Sequence, residues 1–146
     1  MSGIGRTIGI IAAVVGAVVG SIAGKSFVQK LAPSGDRISI DEGLTKVADQ
    51  INKMMPMTID AETRCDSVVP GPNKTISYHY TLVKRTKDEL YPDKLVAYMR
   101  PRLVNNYKTL EAMKTLRDSG VILEYRYFDK EGVYITSITV DPKDFK

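Results

Sequence analysis

The chain is poor in the residues from which many catalytic and metal sites are built. Its 146 residues hold one cysteine, Cys65, one histidine, His79, and no tryptophan. A lone cysteine excludes a disulfide or a cysteine-built zinc site within these residues. A lone histidine removes the two- and three-histidine metal centres. Glycine-rich phosphate loops, a nucleophile-elbow serine and an HExxH helix are also missing. Prolines (7) and glycines (11) are too few for a collagen-like or low-complexity chain. With 43% hydrophobic and 26% charged residues, the composition is that of a folded domain. The length suits one compact domain with an appendage.

Positive charge is scarcer than the net value of +4 suggests. Three of the 21 basic residues (Arg6, Lys25, Lys30) precede residue 36, and none of the 17 acidic ones does. The remainder therefore carries 18 basic against 17 acidic side chains, with signs interspersed. The densest basic cluster, Lys84-Arg85-Thr86-Lys87, runs directly into Asp88-Glu89. No broad positive field exists there to gather phosphates, so nucleic acid is not an expected partner.

Charge is wholly absent from Thr7 to Gly24, TIGIIAAVVGAVVGSIAG, between Arg6 and Lys25. Eighteen helical residues rise about 27 Å, and extension to Val28 brings the stretch to the ~30 Å of a bilayer core. Three readings compete. One is an uncleaved anchor at residues 1–31, with a transmembrane helix at about 7–28. Another is a signal peptide, since Ser21 and Ala23 permit cleavage after Ala23. A buried soluble helix is disfavoured, because it needs apolar partners on all sides. The anchor is the leading reading. Small residues recur every fourth position in two adjacent rows, Ala12-Gly16-Gly20-Gly24 and Gly9-Ala13-Ala17-Ser21. Such rows permit close helix packing in lipid, so a second copy is an expected partner beside membrane lipid itself. Arg6 and the amino terminus nearly balance Lys25 and Lys30, leaving the orientation unset by charge.

Residues 32–38 read as a linker through the breakers Ala32-Pro33-Ser34-Gly35-Asp36, and 39–146 as an α+β domain. Ser39 and Glu42 have capping-box spacing. Ile40, Leu44, Val47, Ile51 and Met54 then follow at helical period, giving a first helix over about 40–55, stopped by Pro56. From Met57 to Asp66 the period is two. Pro70-Gly71-Pro72-Asn73 turns the chain, and Ile76, Tyr78, Tyr80 and Leu82 return on one face of a hairpin. Pro92 suits the first position of a second helix with the stripe Leu95, Tyr98, Met99, Leu103 and Val104, which Pro101 is expected to bend or divide. A short third helix at about 109–118 carries Leu110, Met113 and Leu116 and ends at Gly120. The last hairpin alternates from Val121 to Phe128, turns at Asp129–Gly132 and returns to Val140. The expectation is a two-layer domain: a four-stranded antiparallel sheet of two hairpins with about three helices.

Candidate chemistry is thin. Cys65, Asp66 and His79 could form a nucleophile, acid and base, but the alternation points Cys65 inward and the other two outward, with His79 toward solvent. Cys65 reads as a core residue. Met54, Met55 and Met57 offer soft ligands for Cu(I), yet contiguous residues around a proline cannot converge, and Met54 and Met57 have core positions. Asp60, Glu62, Arg64 and Asp66 read as a solvated strand face without a calcium loop. Asn73-Lys74-Thr75 matches a glycosylation acceptor only as a common tripeptide. No catalytic residue, cofactor or metal is expected.

Two stretches, ETRCDSVVPGPNKTISYHYTLV and LRDSGVILEYRYFDKEGVYITSIT, resemble a family of small uncharacterised bacterial proteins that join an N-terminal hydrophobic segment to a periplasmic domain. The resemblance brings no activity to carry over. It implies a bacterial inner-membrane location with the domain outside. Some relatives carry a cysteine pair near the second helix and the C-terminus; here those places fall near Tyr107 and at Phe145-Lys146. The resulting expectation is a single-pass anchored binding or scaffolding module with an unknown protein partner. The alternative is a secreted ligand-binding domain cleaved near Ala23, and an enzyme of unknown type comes third.

Overall fold

The structure, a computed structural model, describes residues 39–59 and 61–145. The anchor (1–31, helix about 7–28), its packing rows (Gly9, Ala12, Ala13, Gly16, Ala17, Gly20, Ser21, Gly24) and the linker 32–38 lie outside the described residues. Among the described residues no helix is long and apolar enough to cross a membrane.

Helix α1 (Ile40–Asn52) starts where the capping pattern puts it: Ser39 Oγ accepts the Glu42 N–H at 3.1 Å. Leu44, Val47 and Ile51 are buried along one stripe. The helix stops at Asn52, short of the expected 55, and this leaves Met54 43% exposed rather than in the core. The alternating segment after Pro56 is also not one strand. Met57–Thr58 forms a short β1, and β2 (Thr63–Gly71) starts after a break. A bulge between Cys65 and Ser67 inserts one residue, so the buried positions shift from Thr63 and Cys65 to Val68.

Strand β3 (Thr75–Leu82) follows a tight turn in which Asn73 and Lys74 take φ of 61° and 59°. Lys74 is held there by its backbone: its N–H donates to Asp41 Oδ1 at 2.8 Å, and its carbonyl accepts the Ile122 N–H at 2.7 Å. Helix α2 (Pro92–Thr109) buries Leu95, Met99, Leu103 and Tyr107, four residues apart each time. Pro101 does not divide it. Pro101 and Ala97 both lie on the solvent side, where water can serve the carbonyl that the proline leaves unbonded. A 3-10 turn (Glu111–Met113) leads into α3 (Lys114–Asp118). That helix closes in a Schellman motif, with Val121 N–H to Leu116 O and Gly120 N–H to Arg117 O, both 3.0 Å. Gly120 supplies the required φ of 75°.

Strands β4 (Ile122–Phe128) and β5 (Tyr134–Val140) complete a five-stranded sheet in sequence order. It is mixed, not the four-stranded antiparallel sheet expected. The two hairpins are joined through β3 and β4, which run parallel from Thr75↔Ile122 to Thr81↔Phe128. The reason is the connection: residues 83–121 fold as α2 and α3 and return the chain to the end of the sheet where β3 began. The helices cover one face. Their buried stripes form a single core with Tyr78, Tyr80, Leu123, Tyr125, Tyr127, Ile138 and Val140.

Candidate functional site

The opposite face of the sheet carries the side chains left over by that alternation, and no described helix covers it. Register sets them side by side. Arg64 on β2 lies opposite Thr81 on β3, and Thr81 opposite Phe128 on β4. His79 lies opposite Arg126, and Ser77 opposite Glu124. On β5, Ser137 partners Arg126 and Tyr134 partners Phe128.

Two polar groups frame this surface. In the first, Asp66 accepts hydrogen bonds from Arg64 Nε and from Thr81 Oγ1. In the second, Glu124 Oε1 accepts from Ser77 Oγ at 2.9 Å and pairs with Arg126 Nε at 2.7 Å. Between them runs a strip of rings. His79 and Phe128 have centroids 5.6 Å apart, and Phe128 meets Tyr134 edge-on at 5.8 Å. The Tyr134 hydroxyl donates to Ser137 Oγ at 3.0 Å. His79 is half-buried against Phe128 rather than projecting to solvent as its position between two tyrosines suggested. Partial burial, and next the Arg126 charge, lower its pKa, so the imidazole is held neutral at physiological pH. The face thus combines an aromatic strip, partly desolvated yet reachable, with an ion pair in each flanking group.

The structure separates the nucleophile candidate from its would-be base. Cys65 is fully buried opposite Tyr80 on the helix side, while His79 and Asp66 face away. Burial, reinforced by Asp66, pushes the Cys65 thiol up to about 12. It is therefore a protonated packing residue. Among the described residues no cluster of three or more histidine, cysteine, aspartate or glutamate side chains could hold a metal ion. Met54 is exposed and Met57 half-buried, so neither fills the core position expected of it. Asp60 lies outside the described residues.

Three groups escaped the sequence reading. Asn52, sixteen residues from Val68, donates through Nδ2 to Val68 O and accepts the Val68 N–H, both at 2.8 Å, acting as a one-residue strand. Asp129, read only as a turn residue, is buried and accepts N–H groups from Lys87, Glu131 and Val133. Burial alone would raise its carboxyl, but those three donors outweigh it and hold the pKa low. An open groove of about 540 Å³ lies at the end of the sheet beside Asn73, Lys74, Gly120, Asp141 and Lys143. The groove mixes both charges. Its only sequence signal was the turn and cap residues that shape its rim.

The architecture is a small two-layer α+β domain with one polar-aromatic sheet face that no described helix covers. The chain belongs to the family described as domain of unknown function (DUF8479), whose model matches residues 39–135. That span lies within the domain expected at 39–146. No curated protein sequence matches the chain. Solved structures share the fold at low identity. A Pseudomonas aeruginosa protein described as secreted has a TM-score of 0.55 and 18% identity, over 70% of this chain and 88% of that one. The Vibrio vulnificus type 2 secretion system pilotin EpsS has a TM-score of 0.56 and 11% identity, over 73% and 92%. The Vibrio cholerae type II secretion system pilotin AspS has 0.53 and 8%, over 71% and 90%. At these identities the likeness establishes the fold.

Proposed function

We propose that the protein is a non-enzymatic binding module of the bacterial envelope, whose open sheet face holds a protein partner. In this reading residues 7–28 anchor it in the inner membrane and the domain lies in the periplasm. The observation that carries the proposal is the strip His79–Phe128–Tyr134 between the Arg64–Asp66–Thr81 and Ser77–Glu124–Arg126 groups. The strip offers apolar area, and the prearranged charges limit the side-chain ordering that binding costs. Similarity to a protein described as secreted and to two secretion-system pilotins supports an envelope role.

A second reading, a soluble domain released by cleavage near Ala23, is favoured by the secreted neighbour alone. Co-purification from mildly solubilised native membranes tests the main reading. The wild-type chain is expected to retain a partner that Phe128→Ser and Tyr134→Ser lose together while remaining folded. An unchanged set of co-purifying proteins would contradict it. Intact-mass measurement separates the anchored form from one that begins at Gly24.

A further inference from the structure

The two edges of the sheet are built differently. Along β2, Arg64 and Cys65 are covered by β1, a bulge follows, Asn52 occupies both backbone groups of Val68, and Pro70 has no N–H to offer. Each of these keeps a foreign strand off an edge. Strand β5 has no proline and no charged side chain in YITSITV. Its irregularity falls at its beginning, by Ile135, leaving Thr136–Val140 as a regular stretch rich in β-branched residues. Among the described residues its strand neighbour is β4 alone. The chain after β5 turns toward the helices, where the Phe145 ring meets Tyr107 at 5.9 Å. No described strand lies beyond β5, and helix α2 packs against it.

We propose that β5 pairs antiparallel with β5 of a second copy, about a two-fold axis at Ser137, which joins two sheets into one. A copy fits for three reasons. The strand is neutral, so the two meet without like charges. The antiparallel approach puts the turn bearing exposed Lys130 and Glu131 at the end where the other copy's β5 gives way to the 3-10 turn bearing exposed Lys143 and Asp144, so charges of both signs are available at each end. Val133 and Tyr134, 44% and 45% exposed, stand at the same border and would gain cover. The two open faces would then form one continuous surface. This interface is separate from the small-residue rows of residues 9–24.

Disulfide trapping on the full-length chain in mild detergent tests the register. A residue on the axis meets its own copy at a Cα separation of about 5 Å, within disulfide range. One two positions away is about 14 Å from its copy. Ser137→Cys is therefore expected to be captured as a covalent dimer, while Thr139→Cys, on the same strand, stays monomeric and buried Cys65 is silent. Ser137→Lys, in a Gly16→Ile/Gly20→Ile background that removes close packing through the small-residue rows and with far-UV circular dichroism confirming the fold, is expected to shift the untrapped chain from dimer to monomer in sedimentation. Equal trapping at both positions, no trapping at 137, or sedimentation unchanged by Ser137→Lys would overturn the proposal.

Discussion

On one face of the sheet Tyr78, Tyr80, Tyr125 and Tyr127 are sealed under the helices; on the other, Arg126 and Tyr134 stand in water and Phe128 is half covered. The same strands supply both sets, because successive side chains point to opposite sides. The difference teaches where each property resides. Stability comes from the sealed face, with rings such as Tyr78 and Tyr125 only 5.1 Å apart, and from the stripes of α1 and α2. The open face is thereby relieved of packing demands, and Arg64–Asp66 and Arg126–Glu124 pair their charges on it.

That contrast can be broken most severely from the sealed side. Leu103→Ala empties a fully buried site and is expected to destabilise by about 2–5 kcal/mol in urea unfolding. A loss below about 1 kcal/mol would mean that α2 is not packed on the sheet. A sharper test has the opposite sign. The Tyr78 and Tyr80 hydroxyls are buried with no hydrogen-bond partner among the described residues, so burial raises both pKa values. Tyr80→Phe removes an unsatisfied polar group and is expected to stabilise by about 1 kcal/mol. Tyr107→Phe should instead destabilise by a similar amount, since its hydroxyl donates to Val121 O at 2.6 Å.

On the open face, Arg126→Ala is expected to change stability by less than about 0.5 kcal/mol while weakening partner retention. The smallest effect is pH-dependent. His79 has a folded pKa below its ordinary 6.5, so the unfolded chain takes up its proton first as pH falls. The contribution of neutral His79 is complete above 6.5 and declines as pH drops from there toward the lowered folded value. Comparing the pH dependence of unfolding for wild type and His79→Gln checks this; the variant should lose that part of the slope.

Much of the element order was legible from local signals. Ser39 with Glu42, Pro92 at the first turn of α2, and Gly120 after α3 each state a backbone requirement in one or two residues. The inward tyrosines and the outward His79 and Asp66 followed from alternation. The parallel join of β3 and β4 was not legible, because it depends on where α2 and α3 return the chain. With that join hidden, the neighbours of Ser77 and His79 were hidden too, and so was the ring strip. The Asn52–Val68 pairing was invisible for a similar reason: it links a helix end to a strand edge through no repeating spacing. The bulge at Cys65/Ser67 cost one residue of register that alternation alone does not reveal.

The most direct measurement of the open-face reading is site-specific photocrosslinking in native cells. A photoreactive residue at Ser77, on the helix-free face, is expected to capture a protein partner, while the same residue at Lys46, on the exposed side of α1, captures none. Equal capture at both positions, or capture at Lys46 alone, would contradict the assignment of the contact surface to the open face.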